Sequence, residues 1–322
     1  ASAKELARTL AGRSRHLRDF LTDELQQQEK EKANSVLRGL YKTFQINIFN
    51  ELSIPEFAGA FAQMLSYGLF LAKLNAGTKE VNLHNANQFI PSSFALIKEL
   101  VNFLAELNKP GYKNIKWIVE EILSLMNNLN LFDLQKDLAF SQSKNKKEFE
   151  RDPYIYFYED FLASYDSTLR KAKGVYYTPP AIVRFIIRAI NDILKRDFEI
   201  PDGLANPEKV TVLDFATGTG TFILEILQQI MATLPDDSPK KKLIIQEHIV
   251  KNIYGFEYLI APYTIAHLKL SQFLKENNYK LSDNERFQVF LTNTLEPILD
   301  VEPNLFVQIG RASCRERVCH RV

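Results

Sequence analysis

Residues Asp214 to Phe222 read Asp-Phe-Ala-Thr-Gly-Thr-Gly-Thr-Phe and directly follow the apolar run Val210-Thr-Val-Leu213. A buried strand ending in a glycine loop, with the helix-like stretch Ile223 to Met231 after it, brings small-residue backbone to the carboxyl end of a parallel sheet. Nucleotide-like ligands bind there. Gly218 and Gly220 let the chain turn tightly and let a ligand approach the backbone without a Cβ in the way. A second apolar strand, Ile253-Tyr-Gly-Phe-Glu257, ends in an acid. A carboxylate in that place accepts hydrogen bonds from ribose hydroxyls. The third strand candidate ends Phe290-Leu-Thr-Asn-Thr-Leu295. Asn293 offers both donor and acceptor to a base, or serves only as a turn former.

Each of these signals is weak alone. A dinucleotide fingerprint needs a third glycine where Ile223 stands, and no Gly-Lys-Ser/Thr follows to make a phosphate-binding Walker loop. The spacing from Gly220 to Glu257 exceeds the usual value of roughly 20 residues. The polar segment Pro235 to Lys242 accounts for the excess as an insertion. Upstream, Tyr176-Tyr-Thr-Pro179 precedes a helix from about 181 to 194, with Thr178 placed like an N-cap. The N-terminus of that helix suits a carboxylate, although capping alone explains the segment equally well.

The elements that must position these residues alternate: strand 210–214, helix 221–233, strand 253–257, helix 261–275, strand 288–292. Such alternation predicts a parallel sheet. Residues 1 to about 150 differ. Leu6, Leu10, Leu17, Leu21 and Leu25 recur at helical spacing. Pro55 opens a helix that is apolar nearly all round from Phe57 to Leu74, with Gly77 at its end. Further helices are predicted from Pro91 to about Leu107 and from Ile115 to Leu131. In the latter, Leu123, Leu125, Met126, Leu129 and Phe132 are assigned to a core. The polar stretch Ser141 to Glu148 reads as a loop or domain boundary.

Composition bounds the class. The chain has 322 residues, 46% hydrophobic and 25% charged, as in ordinary globular proteins, and its length suggests about two domains. No signal peptide is recognised, and no apolar run approaches the roughly 20 residues that span a bilayer. Cys314 and Cys319 are the only cysteines. They lie in a tail from Ile309 onward that resembles translated sequencing adapter. Cys314, Cys319 and His320 are therefore read as no metal site, and the cysteine-free remainder fits a reducing cytoplasm. The tail carries four arginines against Glu316; without it the formal charge of +1 becomes −2. Net charge thus gives no support for nucleic-acid binding.

Taken together, the segments resemble the γ-class amino-methyltransferases that modify adenine in DNA, within the type ISP and type IIG restriction–modification polypeptides. Gly174-Val-Tyr-Tyr-Thr-Pro179 is similar to that family's motif ten, and Asp214 to Phe222 to motif one. Gly255 to Leu270 is similar to motif two and its helix, and Leu291 to Pro297 to motif three. The departures within motif one are Phe215 for Pro, Thr217 for Cys and Thr219 for Ser.

The resemblance implies an α/β fold: a truncated Rossmann-like, S-adenosylmethionine-dependent methyltransferase sheet over 151–308, preceded by an all-helical connector domain over 1–150. Residues 309–322 are taken as a non-native tail. The methyl donor would be held by Tyr177, Thr178 and Pro179 at the methionine end and by Asp214 at its amino group. Ala216, Thr217, Gly218, Thr219, Gly220 and Phe222 would line the backbone approach, with Glu257 at the ribose and Asn293 at the adenine. No catalytic residue is assigned, because the family's motif four, Asn/Asp-Pro-Pro-Tyr/Phe, occurs nowhere in the chain.

A catalytically inactive piece of a prokaryotic, cytoplasmic DNA adenine-N6 methyltransferase is therefore expected. It would be poorly soluble, because its first strand would leave an open edge. Double-stranded DNA is the expected partner of the whole protein, with nuclease or helicase domains in the same polypeptide and no membrane. Two other readings remain open: a methyltransferase for cytosine N4 or protein, and a non-catalytic helical coupling or DNA-binding module.

Overall fold

The computed structural model describes residues 3–47, 51–90, 95–130, 153–165, 178–234, 239–282 and 285–292. It divides into two compact units, Ala1–Tyr176 and Tyr177–Val322. The expected boundary at 150/151 falls earlier than this division, because the helix Pro153–Tyr165 packs inside the first unit.

The first unit is helical: α1 Ala3–Glu31, α2 Val36–Asn47, α3 Ile54–Ala76, α4 Ala86–Phe89, α5 Ala95–Glu106, α6 Lys113–Asn127 and α7 Pro153–Tyr165. Every leucine named on α1 is buried. α3 begins with a capping box. Ser53 Oγ accepts the Glu56 amide and Glu56 Oε2 accepts the Ser53 amide, which satisfies two amides that the first helical turn leaves over. It ends at Gly77, whose φ of +61° suits glycine.

α3 is also long and apolar enough to cross a membrane, which corrects the expectation that no such run exists. It is nevertheless the core helix of this unit. Phe70 stacks on Phe157 of α7 with ring centroids 4.0 Å apart. Ser14 Oγ of α1 donates to Ser66 Oγ at 2.6 Å, and Tyr165 Oη donates to the Gly59 carbonyl at 3.2 Å. On α6, Leu123 and Met126 are buried, as expected, but Leu125, and Leu129 just past the helix end, are only half-buried. Phe132, the 141–148 segment and the tail lie outside the described residues.

The second unit contains α8 Pro180–Arg196, β1 Val212–Asp214, α9 Thr221–Ala232, α10 Pro239–Ile244, a π-helical turn Ile245–Ile249, α11 Val250–Asn252, β2 Ile253–Glu257, α12 Ile260–Glu276 and β3 Gln288–Leu291. The three strands form one parallel sheet in the order β1-β2-β3. Asp214 lies opposite Gly255 and Glu257 opposite Leu291. The 235–242 insertion is not simply loop, since its second half begins the helical crossover into β2.

β1 departs from the expected buried strand. It spans three residues, and Leu213 is 42% exposed. Among the described residues β1 pairs with β2 alone, so its second edge and one face lack cover. α8 begins at Pro180 with Pro179 at the N-cap, which corrects the assignment of that role to Thr178. The reason lies in the Pro-Pro pair. Pro180 holds the preceding residue out of the helical region, so Pro179 is the last extended residue and its carbonyl accepts the Ile182 amide at 2.8 Å.

Candidate functional site

The site lies at the carboxyl ends of β1 and β2. Asp214 ends β1 and Glu257 ends β2, one on each side of the loop Phe215 to Gly220. Asp214 Oδ1 accepts the Ala216 amide at 3.2 Å. Glu257 Oε2 accepts the Gly218 amide at 2.7 Å, and Oε1 accepts the Leu259 amide at 2.7 Å. The two carboxylates therefore grip neighbouring points of one loop.

Further contacts fix that loop. The Thr217 amide donates to the Phe256 carbonyl at 2.9 Å, and Thr217 Oγ1 donates to the Asp214 carbonyl at 2.9 Å. This tuck is possible because residue 255 is glycine. A Cβ there would lie 2.5 Å from Thr217 Oγ1 and 2.8 Å from Ile223 Cδ1. Gly218 and Gly220 adopt φ of +56° and +75°, the left-handed region that other residues enter at a cost. Gly220 closes on α12, its Cβ position 3.2 Å from the Ala266 Cβ, whereas the Gly218 Cβ position faces open space.

The electrostatics are unusual for a pair of acids. Burial raises both carboxyls above their ordinary range. The amides that Glu257 accepts pull it partly back, and the charge of Asp214 pushes it up again. Asp214 Oδ2 is buried without a hydrogen-bond partner, as are Thr219 Oγ1 and Thr221 Oγ1. Buried polar atoms are normally paired. Three such atoms lie around one loop, where a ligand with donors and acceptors of its own would pair them.

The structure thus brings together Asp214, Ala216, Thr217, Gly218, Thr219, Gly220 and Glu257. Phe222 is half-buried in the first turn of α9. Thr178 is half-buried and Pro179 exposed, in the segment leading into α8. Tyr177 and Asn293 lie outside the described residues. The Thr292 amide does donate to the Glu257 carbonyl at 2.8 Å, so the chain next to Asn293 runs beside the end of β2.

Thr221 escaped the sequence reading, although a threonine directly after the loop's last glycine was the available signal. Phe215, 70% exposed at the tip of β1, and Tyr258, exposed beside Glu257, were likewise not assigned. A separate cavity of about 560 Å³ belongs to the helical unit, between the 78–84 loop and α6, and contains none of these residues. Among the described residues no cluster of His, Cys, Asp and Glu could hold a metal ion.

Residues 150–301, just under half of the chain, match the N-6 DNA methylase family. No curated protein matches significantly. Among solved structures, a DrdV–DNA complex is similar over 90% of this chain and 25% of its own, at 21% identity and a TM-score of 0.56. The ATP-dependent type ISP restriction–modification enzyme LlaBIII bound to DNA is similar over 95% of this chain and 19% of its own, at 18% identity and a TM-score of 0.57. A nuclease-deletion mutant of the type ISP enzyme LlaGI with a DNA substrate mimic gives 92%, 22%, 19% and 0.53 in the same order. The chain therefore spans a quarter or less of the length of these structures, and the likeness includes the helical unit.

Proposed function

We propose that the chain supplies the donor-binding part of an S-adenosylmethionine-dependent DNA adenine-N6 methyltransferase in a restriction–modification polypeptide. Its three strands would form one side of a Rossmann-like sheet. The observation that carries the reading is the pairing of Asp214 and Glu257 across a glycine loop whose open side, at Gly218, has room for a ligand against the backbone.

The residues fit that cofactor. The orphaned Asp214 Oδ2 suits an ammonium group. Each Glu257 oxygen, already accepting one amide, keeps a lone pair for a ribose hydroxyl. Thr219 and Thr221 bring hydroxyls without partners. Once bound, the cofactor supplies an electrophilic methyl on sulfonium. The chain's part is to bind and orient it, since fixing two reactants at contact distance provides much of the rate advantage in such a transfer. Tyr177, Thr178, Pro179 and Asn293 are proposed to complete the cradle.

The partner reading rests on the family match and on the DNA-bound neighbours: duplex DNA, with nuclease or helicase domains in the same polypeptide. The absence of Asn/Asp-Pro-Pro-Tyr/Phe from the 322 residues supports donor binding without methyl transfer by this chain alone. The direct test is calorimetric titration of the chain with S-adenosylmethionine. Saturable one-to-one binding that Asp214→Ala abolishes is expected, and no binding to folded wild-type chain would overturn the reading. For the whole polypeptide, labelled methyl transfer to duplex DNA should yield N6-methyladenine; N4-methylcytosine would overturn the substrate assignment.

A further inference from the structure

The two acids at this rim face a problem that their own surroundings do not solve. Asp214 Oδ2 is enclosed without a donor, and an ionised buried carboxylate with an unpaired oxygen is costly. Among the described residues, the one charged group that acts on Glu257 is Asp214, another acid.

The charged and titratable side chains on the surrounding elements contribute no shift to either acid. Glu225 on α9 pairs with Arg184 of α8 at 3.3 Å. On α12, His267 Nε2 donates to the Val289 carbonyl at 3.1 Å, Tyr263 packs edge-on against His267, and Lys269 is buried. Arg286, just before β3, lies over the Phe290 ring. None of these acts on Asp214 or Glu257, whose shifts come from burial, backbone amides and each other. Tyr258 follows Glu257 and contributes its backbone amide.

We propose that the ligand-free rim keeps one proton on the Asp214–Glu257 pair, and that binding of the methyl donor releases it to solvent. The idea rests on the donor-site reading above. Two carboxyls that hold the Ala216 and Gly218 amides of one short loop, with no cation acting on them among the described residues, lower their cost by keeping one proton on the pair. A ligand that brings an ammonium to Asp214 provides the missing positive charge, and the proton leaves. Cofactor affinity should then rise with pH across the range in which the pair titrates.

The experiment is calorimetry of the 322-residue chain with S-adenosylmethionine, from about pH 5 to pH 8, in buffers of different ionisation enthalpy. The slope of heat against that enthalpy counts protons. Release of up to about one proton per donor is expected at the acid end, fading as pH rises. S-adenosylhomocysteine, which keeps the ammonium but lacks the sulfonium, should release the same. 5′-Methylthioadenosine, which lacks the amino-acid portion, should release much less, and Asp214→Asn should remove most of the effect.

Saturable donor binding with buffer-independent heat at every pH would overturn the proposal. So would equal release by methylthioadenosine. Absence of any binding would instead overturn the donor-site reading itself. The wild-type buffer series decides the matter even if the Asn variant fails to fold.

Discussion

Glu257 Oε2 holds the amide of Gly218 at 2.7 Å across 39 residues of sequence, so the acid that ends β2 fixes the loop that ends β1. Its other oxygen holds the Leu259 amide at the start of α12. Glu257→Ala should leave both amides without their acceptor. The expected cost is roughly 1–3 kcal/mol of stability, read as a lower thermal midpoint, together with at least a tenfold loss of cofactor affinity. A variant with full affinity would show that the carboxylate is not part of the cradle.

Two glycines make opposite predictions. Gly255→Ala places a methyl 2.5 Å from Thr217 Oγ1 and 2.8 Å from Ile223 Cδ1. Overpacking of that kind should cost about 1–3 kcal/mol. At Gly218 the space is open, but φ is +56°, so alanine should cost only about 1–2 kcal/mol in backbone strain. Its methyl would, however, occupy the approach to the loop. Denaturant unfolding and ligand titration on both variants should therefore separate: stability lost mainly at 255, binding lost mainly at 218.

The rim acids should leave a signature in the ligand-free protein. Both carboxyls are raised by burial, so between about pH 4, the ordinary carboxylate value, and the raised values the folded state binds more protons than the unfolded one. Their contribution to stability is present below that window and is lost as pH rises through it. Asp214→Asn should flatten this part of the stability–pH curve relative to wild type. Parallel curves for the two proteins would contradict the assignment.

His248 predicts the reverse slope. Its buried ring donates from Nε2 to the Leu204 carbonyl at 2.8 Å, while Nδ1 accepts from Asn252 at 3.2 Å. Asn252 also donates to the Pro207 carbonyl at 2.8 Å. The π-helical turn and α11 thereby hold the segment that leads into β1. Burial lowers the His248 pKa. Stability from this group is full above about pH 6.5 and falls as pH drops through that value toward the lowered one. His248→Ala should cost about 2–4 kcal/mol and remove this acid sensitivity, as measured by thermal unfolding at pH 5 and pH 7.5.

At the first unit's capping box, Ser53→Ala should cost about 1 kcal/mol. The measurement is the thermal midpoint, with no change in ligand binding as the control.

Much of this architecture was legible in the chain itself. Leucine spacing set α1, Pro55 and Gly77 bounded α3, and alternating apolar runs located β2, β3 and the helices between them. These are local signals, fixed by backbone sterics and by the side-chain period of each element. The same text located Asp214, the glycine loop and Glu257, because their backbone roles demand particular residue types. Tertiary structure decided what depends on neighbours. β1 became an exposed edge because pairing, not its own apolar residues, buries a strand. Pro179 took the cap from Thr178 because the following proline constrains it. The Pro153–Tyr165 helix joined the first unit through stacking of Phe157 on Phe70. Only folding could reveal that Gly255 makes room for Thr217, and that two acids 43 residues apart share one loop with no cation acting on them among the described residues, since those facts concern distances between strands and not the order of residues along them.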